Sequence, residues 1–260
     1  MTETLLLIDD ADGVRTIRVN RPEKLNALNA ACIEALDDAF ADAGTDAGVR
    51  VVVLTGSGPK AFVAGADISE MHLLSPVQGR DFSLRGTRMM RRVETLTKPV
   101  IAMVNGFAFG GGLELAMCCH LRIAADSAKL GQPEINLGLI PGFGGTQRLL
   151  RLAGRAATLE LCLSGAPITA ERALQLGIVN RVVPAAELEG ETFKLARQLA
   201  SAAPLALRGM LDCVNIGGEC GIEEGLQYES AQFGLVFSTD DMREGTSAFL
   251  DKRKPAFNGR

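Results

Sequence analysis

The stretch KPVIAMVNGFAFGGGLELAM, residues 98–117, decides how this chain folds. From Val100 to Cys119 it is almost wholly apolar or glycine, and about twenty such residues would span a bilayer. Pro99 precedes the run, however, Asn105 and Glu114 interrupt it, and Gly110, Gly111 and Gly112 break it. A buried strand over 100–104, a glycine turn over 106–112 and a buried helix over 113–119 account for it better.

The same order of strand, loop and helix recurs outward from there. Residues 51–54 form a continuous apolar run, as a strand buried on both faces requires. The loop TGSGPKAFVAGAD (55–67) follows it, then an arginine-rich helix over 82–96 that ends at Lys98-Pro99. Upstream, 5–8 and 14–19 are β-prone runs joined by a turn at Asp12-Gly13. Asn29 caps a helix whose Ile33, Leu36 and Phe40 recur at helical spacing. Downstream, 121–124 and 129–130 read as a strand pair around Asp126. Helices are expected over 147–152, 157–163 and 170–177, then a strand over 178–183 and a helix opened by Pro184 that runs to about 202. From Pro204 the pattern is helical, broken at Gly217-Gly218. The expectation is an α/β core with loops of interest at strand ends and a helical C-terminal appendage.

Composition agrees. The 260 residues suit one large domain or a domain with an appendage, and 47% hydrophobic with 22% charged residues excludes a disordered chain. A net charge of −4 offers no basic surface for nucleic acid, though a local basic pocket for an anion is compatible with it. Six dispersed cysteines without a C-x-x-C pair, and two histidines without ligand spacing, suggest no metal site and a reducing, cytoplasmic setting. The start MTETLLLIDDADG has acids after only four apolar residues and is not Arg-rich, so it reads as neither a secretory nor a transit signal.

Four stretches are candidates for chemistry. GSGPKA (56–61) loosely fits a dinucleotide fingerprint, but no helix follows at once and no acid-tipped strand lies about twenty residues on, so a surface turn is favoured. Gly110-Gly111-Gly112 bares backbone N–H groups at a helix N-terminus, which suits an anion or an oxyanion; a tight turn explains it too. Glu114, in the first turn of an otherwise apolar helix, is costly to bury without a partner or a role, unless that helix face is exposed. AGAD (64–67) is a small-residue loop whose N–H groups a ligand can approach. Finally, Glu134 sits in QPE (132–134), ahead of Gly138 and PGFGG (141–145). With Glu114 it suggests a general acid/base pair, although a capping or surface glutamate is the plain alternative.

Five blocks, taken in order, resemble the enoyl-CoA hydratase (crotonase) family: NRPEKLNALN (20–29), AFVAGADISEM (61–71), KPVIAMVNGFAFGGGLELAM (98–117), GQPEINLGLIPGFGGTQRL (131–149) and EGTSAFLDKRKPAF (244–257). The resemblance covers nearly the whole chain. It implies a crotonase-type spiral of β-β-α units over 1–200 and a helical trimerisation region over 201–260, assembled as a trimer or a dimer of trimers. It implies an acyl-CoA thioester substrate, with coenzyme A entering as part of that substrate and no separate cofactor, and no nucleic-acid or membrane partner. By matching motifs, Ala66 and Gly111 would donate the oxyanion-hole N–H groups. Glu114 would activate water for Cβ and Glu134 would exchange the proton at Cα in a syn hydration of a trans-2-enoyl-CoA. Ala64, Asp67, Ile68 and Gly142 would line the substrate site, Gly142 placing the water or Glu134. Lys24, Leu25, Phe249 and Lys252 would reach the coenzyme A portion, the last two from a neighbouring subunit. Met71, Leu73, Leu74 and the Phe82 region would set pocket depth.

His120 departs from the pattern, standing where relatives carry an acid; an altered structural hydrogen bond is expected there. A double-bond isomerase or another acyl-CoA enzyme on the same fold is the alternative chemistry, the isomerase less favoured because both glutamates are present. A nucleic-acid-binding relative is disfavoured by the net charge of −4.

Overall fold

The structure, a computed structural model, describes residues 4–260. In chain order its strands and helices are β1 (Leu6–Ala11), β2 (Val14–Val19), α1 (Ala30–Thr45), β3 (Val51–Gly56), β4 (Ala61–Val63), α2 (Ile68–Met71), α3 (Pro76–Glu94), β5 (Val100–Val104), β6 (Phe107–Phe109), α4 (Gly111–Cys118), β7 (Leu121–Ala125), β8 (Lys129–Gly131), α5 (Gly145–Ser164), β9 (Ile168–Thr169), α6 (Ala170–Gln175), β10 (Arg181–Val183), α7 (Leu188–Ala200), α8 (Pro204–Gly217), α9 (Ile222–Val236) and α10 (Asp240–Leu250).

Two sheets share these strands. The larger runs β1-β2-β3-β5-β7-β10 and the smaller β4-β6-β8-β9. β2, β3, β5, β7 and β10 are mutually parallel, as are β4, β6 and β8; only the β1–β2 and β8–β9 pairs are antiparallel. The successive pairs β3/β4, β5/β6 and β7/β8 therefore each give their first strand to the large sheet and their second to the small one, whereas β1 and β2 both stay in the large sheet. The central large-sheet strands are apolar because they lie inside the core, with α7 packed along them: every residue of β3 and of β5 is buried. This is the spiral that the five sequence blocks imply.

The structure corrects several local expectations. β7 and β8 do not pair with each other; they lie in different sheets, because the spiral hands each second strand across. β4 and β6 occupy what reads as loop and glycine turn, since three-residue strands are too short to show a period. Helix α4 begins at Gly111 rather than Leu113, so the glycines form its first turn. The runs 147–152 and 157–163 belong to one helix kinked at Gly154, where φ is 76°. Ile178 and Val179 donate their N–H groups to the Ala173 carbonyl, so the strand there starts only at Arg181. Pro184 caps a single 3-10 turn, and α7 begins at Leu188.

His120 takes part in the structural hydrogen bonding expected of it. Its Nδ1 accepts from the Val100 N–H at 2.9 Å, and its Nε2 lies 3.1 Å from the Glu94 carbonyl oxygen. The ring is therefore a neutral tautomer with the proton on Nε2, and burial holds its pKa below the ordinary value.

Candidate active site

The small sheet brings the candidate residues together. β4, β6 and β8 are parallel neighbours, so the residues just past their C-terminal ends meet on one edge. Past β4 comes the loop of Ala64, Gly65, Ala66 and Asp67. Past β6 come Gly110, Gly111 and the first turn of α4, with Glu114. Past β8 come Gln132 and a 3-10 turn, Pro133–Leu137, that carries Glu134. Of these, Ala64, Gly65, Ala66, Gly110, Gly111, Glu114 and Glu134 wall a cavity of about 410 Å³, lined also by Ile68, Met71, Phe82, Leu137, Leu139, Gly142 and Phe143.

The cavity holds two unused donors. Among the described residues, neither the Ala66 N–H nor the Gly111 N–H has a hydrogen-bond partner. The neighbours of Ala66 are tied down: Leu28 donates its N–H to the Gly65 carbonyl at 2.9 Å, and Asp67 donates its N–H to the Leu28 carbonyl at 2.8 Å. This bridge aims the intervening Ala66 N–H away from Leu28. Gly111 opens α4, where the first N–H groups have no acceptor within the helix. A Cβ on Gly111 would lie 3.6 Å from the Ala66 nitrogen, so the two donors are neighbours. Paired N–H groups, one at a helix N-terminus, suit an oxygen that gains negative charge.

The two glutamates differ in setting. Glu114 is 1% exposed, and its Oε1 accepts from the N–H groups of Phe143 at 2.8 Å and Gly145 at 2.6 Å. Burial is the largest influence and pushes its pKa up to about 7; the two N–H groups oppose the rise and Glu134 adds to it. Glu134 is half-buried, and burial raises its pKa as well. Its Oε1 lies 2.8 Å from where a Cβ on Gly110 would stand, and Gly110 has φ +50°. The positive φ favours glycine there, and a Cβ would push the Glu134 carboxyl aside. Two carboxyls whose pKa values burial raises, in one cavity, are suited to taking and giving protons there.

Asp67 and Lys24 turn out to belong to a clamp behind the loop rather than to the cavity wall. The Asp67 carboxylate accepts from the Ser69 hydroxyl at 2.6 Å, Arg21 Nη2 at 2.9 Å and Lys24 Nζ at 3.2 Å. The Ser69 hydroxyl, then Arg21 and Lys24, hold its pKa well below the usual carboxylate range against the effect of burial. Leu25 adopts φ 52° and accepts the Ala64 N–H on its carbonyl at 3.0 Å. Phe249 is 83% exposed, and neither it nor Lys252 lines this cavity. Met71 and Phe82 line it; Leu73 and Leu74 do not.

Residues not singled out by the sequence also matter. Gln132 is fully buried, and with its amide turned to donate, the nitrogen lies 2.9 and 3.0 Å from the two Glu134 oxygens. Phe143 supplies an N–H to Glu114, and its ring stacks at a tilt against Phe82 with centroids 5.4 Å apart. The only sequence signal for Gln132 was a polar residue just before Pro133-Glu134.

An apolar cavity with two carboxyls of raised pKa and two free N–H groups defines an acid/base enzyme that polarises a carbonyl. Comparison with known proteins makes the class specific. The family model for enoyl-CoA hydratase/isomerase matches residues 9–260. A short-chain-enoyl-CoA hydratase of Clostridium acetobutylicum is 44% identical, with 96% of this chain and 95% of that protein covered. A crotonyl-CoA hydratase of Syntrophomonas wolfei is 44% identical, with 97% of each covered. The crystal structure of an enoyl-CoA hydratase from Bacillus anthracis superposes with a TM-score of 0.96 at 40% identity, covering 99% of this chain and 100% of the other. The chain belongs to the enoyl-CoA hydratase/isomerase family and has the crotonase fold.

Proposed function

We propose that this protein is an enoyl-CoA hydratase that adds water across the double bond of a trans-2-enoyl-CoA to give the 3-hydroxyacyl-CoA. The observation that carries the reading is the placement of Glu114 and Glu134 in one cavity with the free N–H groups of Ala66 and Gly111. The thioester oxygen docks on the two N–H groups, which meet negative charge as the enolate forms. Sulfur feeds little electron density to its carbonyl, so that enolate is accessible to carboxylate catalysis. Glu114, its charge supported by two backbone donors, takes a proton from the water that attacks Cβ. Glu134 delivers a proton to Cα. Both carboxyls line the one cavity, which supports the syn addition that the family resemblance implies. In reverse the same groups dehydrate the product, with their proton states exchanged.

The names of the two curated relatives and the aromatic wall of Phe82 and Phe143 favour a short acyl group. The coenzyme A portion would leave along Ala64 and Leu25, with Lys24 near its phosphates. The helical region over 201–260 would assemble subunits as a trimer or a dimer of trimers, because Phe233, Leu235, Phe237 and Phe249 are all more than half exposed, at 51–83%. Phe249 and Lys252 would then serve a neighbour's site. Fatty-acid or related acyl-CoA breakdown in the cytoplasm is the setting this activity fits; among the described residues no helix is long and apolar enough to cross a membrane.

The test is loss of enoyl-thioester absorbance with crotonyl-CoA, for wild type beside Glu114→Gln and Glu134→Gln. Rapid hydration by wild type and collapse in both variants is expected. A wild-type enzyme that binds the ester without hydrating it would overturn the reading.

A further inference from the structure

Arg148 is an unusual residue to find where it is. It lies within four residues of the start of α5, where a cation opposes the helix dipole. Its side chain is 11% exposed. Local preference does not explain it; its contacts do. Nε and Nη2 fork onto the two oxygens of Glu94 on α3, both at 3.1 Å. The remaining arm, Nη1, donates to the Phe143 carbonyl at 2.8 Å. That carbonyl belongs to the peptide lying between the two N–H groups that hold Glu114 Oε1, those of Phe143 and Gly145. Pulling the carbonyl to one side turns both flanking N–H groups to the other. Gly144, at φ +97°, permits the turn, and a Cβ there would stand 2.5 Å from Nη1. The loop thus forms a nest whose outer side is gripped by arginine and whose inner side grips the carboxylate.

We propose that Arg148, docked by Glu94, is a positioning residue for hydration: by holding the Phe143 carbonyl it aims the N–H groups of Phe143 and Gly145 at Glu114. This rests on the hydratase reading for its kinetic consequence, though not for its structural one. The charged and titratable groups facing Glu114 are Glu134, from the turn after β8, and Arg148 and the Cys162 thiol, from α5; those facing Arg148 are Glu94, from α3, and Glu114 and the Cys118 thiol, from α4. Releasing the nest removes two donors and loosens a nearby cation, and both changes disfavour the charged carboxylate. Glu114 then ionises at higher pH.

The experiment uses the full-length protein as Arg148→Gln, Arg148→Lys and Glu94→Gln. Steady-state hydration of crotonyl-CoA is followed across pH, and the Glu114 carboxyl is titrated by ¹³C NMR with glutamate labelled at Cδ, assigned through Glu114→Gln. Arg148→Gln should lower kcat near neutral pH by about 10- to 100-fold, as slight misplacement of a catalytic group does, with KM nearly unchanged. The acidic limb of kcat/KM and the NMR midpoint should both move to higher pH, so that much of the loss is recovered in alkaline buffer. Arg148→Lys, which can reach the carbonyl but cannot fork onto Glu94, should show a smaller shift of the same sign, as should Glu94→Gln. A folded Arg148→Gln protein with an unmoved acidic limb and NMR midpoint overturns the proposal. If that variant does not fold, an unmoved midpoint in Arg148→Lys does so. Wild-type protein without hydratase activity would sink the functional reading alone, since the Glu114 titration still judges the role of Arg148.

Discussion

Gly110→Ala adds one methyl group at the point where the two halves of the site touch. The new Cβ would stand 2.8 Å from Glu134 Oε1, against an ordinary contact of about 3.4 Å, so the carboxyl must retreat by about 0.6 Å. A misplacement of that order in a catalytic group costs on the order of ten- to a hundred-fold in kcat. The backbone adds a second cost: φ +50°, ψ −122° is foreign to alanine and is worth about 1–3 kcal/mol of strain. Part of it, about 0.4–1 kcal/mol, is offset by the stiffer unfolded chain. The net effect on Tm is then a loss of a few degrees, at about 2–4 °C per kcal/mol for a chain near this size. Gly154→Ala is the control. Its φ is +76° and a Cβ there meets nothing within 4 Å, so it shares the backbone strain without touching a carboxylate. Crotonyl-CoA hydration and thermal melts of both variants separate the two costs. Gly110→Ala should lose Tm and kcat, Gly154→Ala only Tm. Equal loss of kcat in both, or full kcat in Gly110→Ala, would refute the contact argument.

Three further outcomes follow from the site. Glu114→Gln and Glu134→Gln should each lower kcat by about 10²–10⁴-fold, and the double variant by far less than the product, because the two carboxyls act as a unit in one addition; multiplicative losses in stopped-flow assays would contradict that joint action. Glu114 is protonated more readily folded than unfolded, with its pKa up from 4.5 to about 7, so the folded state binds the extra proton between those values. Wild-type stability should therefore fall as pH rises through that window, relative to Glu114→Gln, in urea unfolding at successive pH values. Asp67→Asn breaks an ion pair whose side chains are 4% and 8% exposed, leaving Arg21 uncompensated. It should cost about 3–5 kcal/mol of unfolding free energy and, by freeing the Ala66 loop, lower kcat as well. The Asp67 contribution runs the other way with pH, being present above the ordinary carboxylate range and lost in acid.

The α/β character was legible from the apolar runs of β3 and β5, because strands buried on both faces need continuous hydrophobicity. Glu114 was legible for a related reason: a carboxylate inside an apolar helix contradicts its surroundings. The caps at Asn29 and the turn at Asp12-Gly13 are local chemistry and were equally readable. Three-residue β4 and β6 carry no period of their own, and β8 was read as a partner of β7, so the sheet that assembles the site was invisible. So was the assignment of β7 and β8 to separate sheets, which depends on long-range pairing rather than on either segment's composition.

The same division holds within the site. The kinds of groups present, small-residue loops and two glutamates, are stated by the sequence, since burial cost and backbone freedom belong to residue types. Their convergence is a property of three parallel strands whose ends share an edge. The ion pair of Lys24 with Asp67 joins residues 43 positions apart and could not be read from the sequence, while Gln132, Phe143 and Arg148 looked ordinary and came to surround the carboxyls. A side chain's partners across more than a few residues are chosen by packing, and only the folded chain decides which distant atoms come within hydrogen-bond reach.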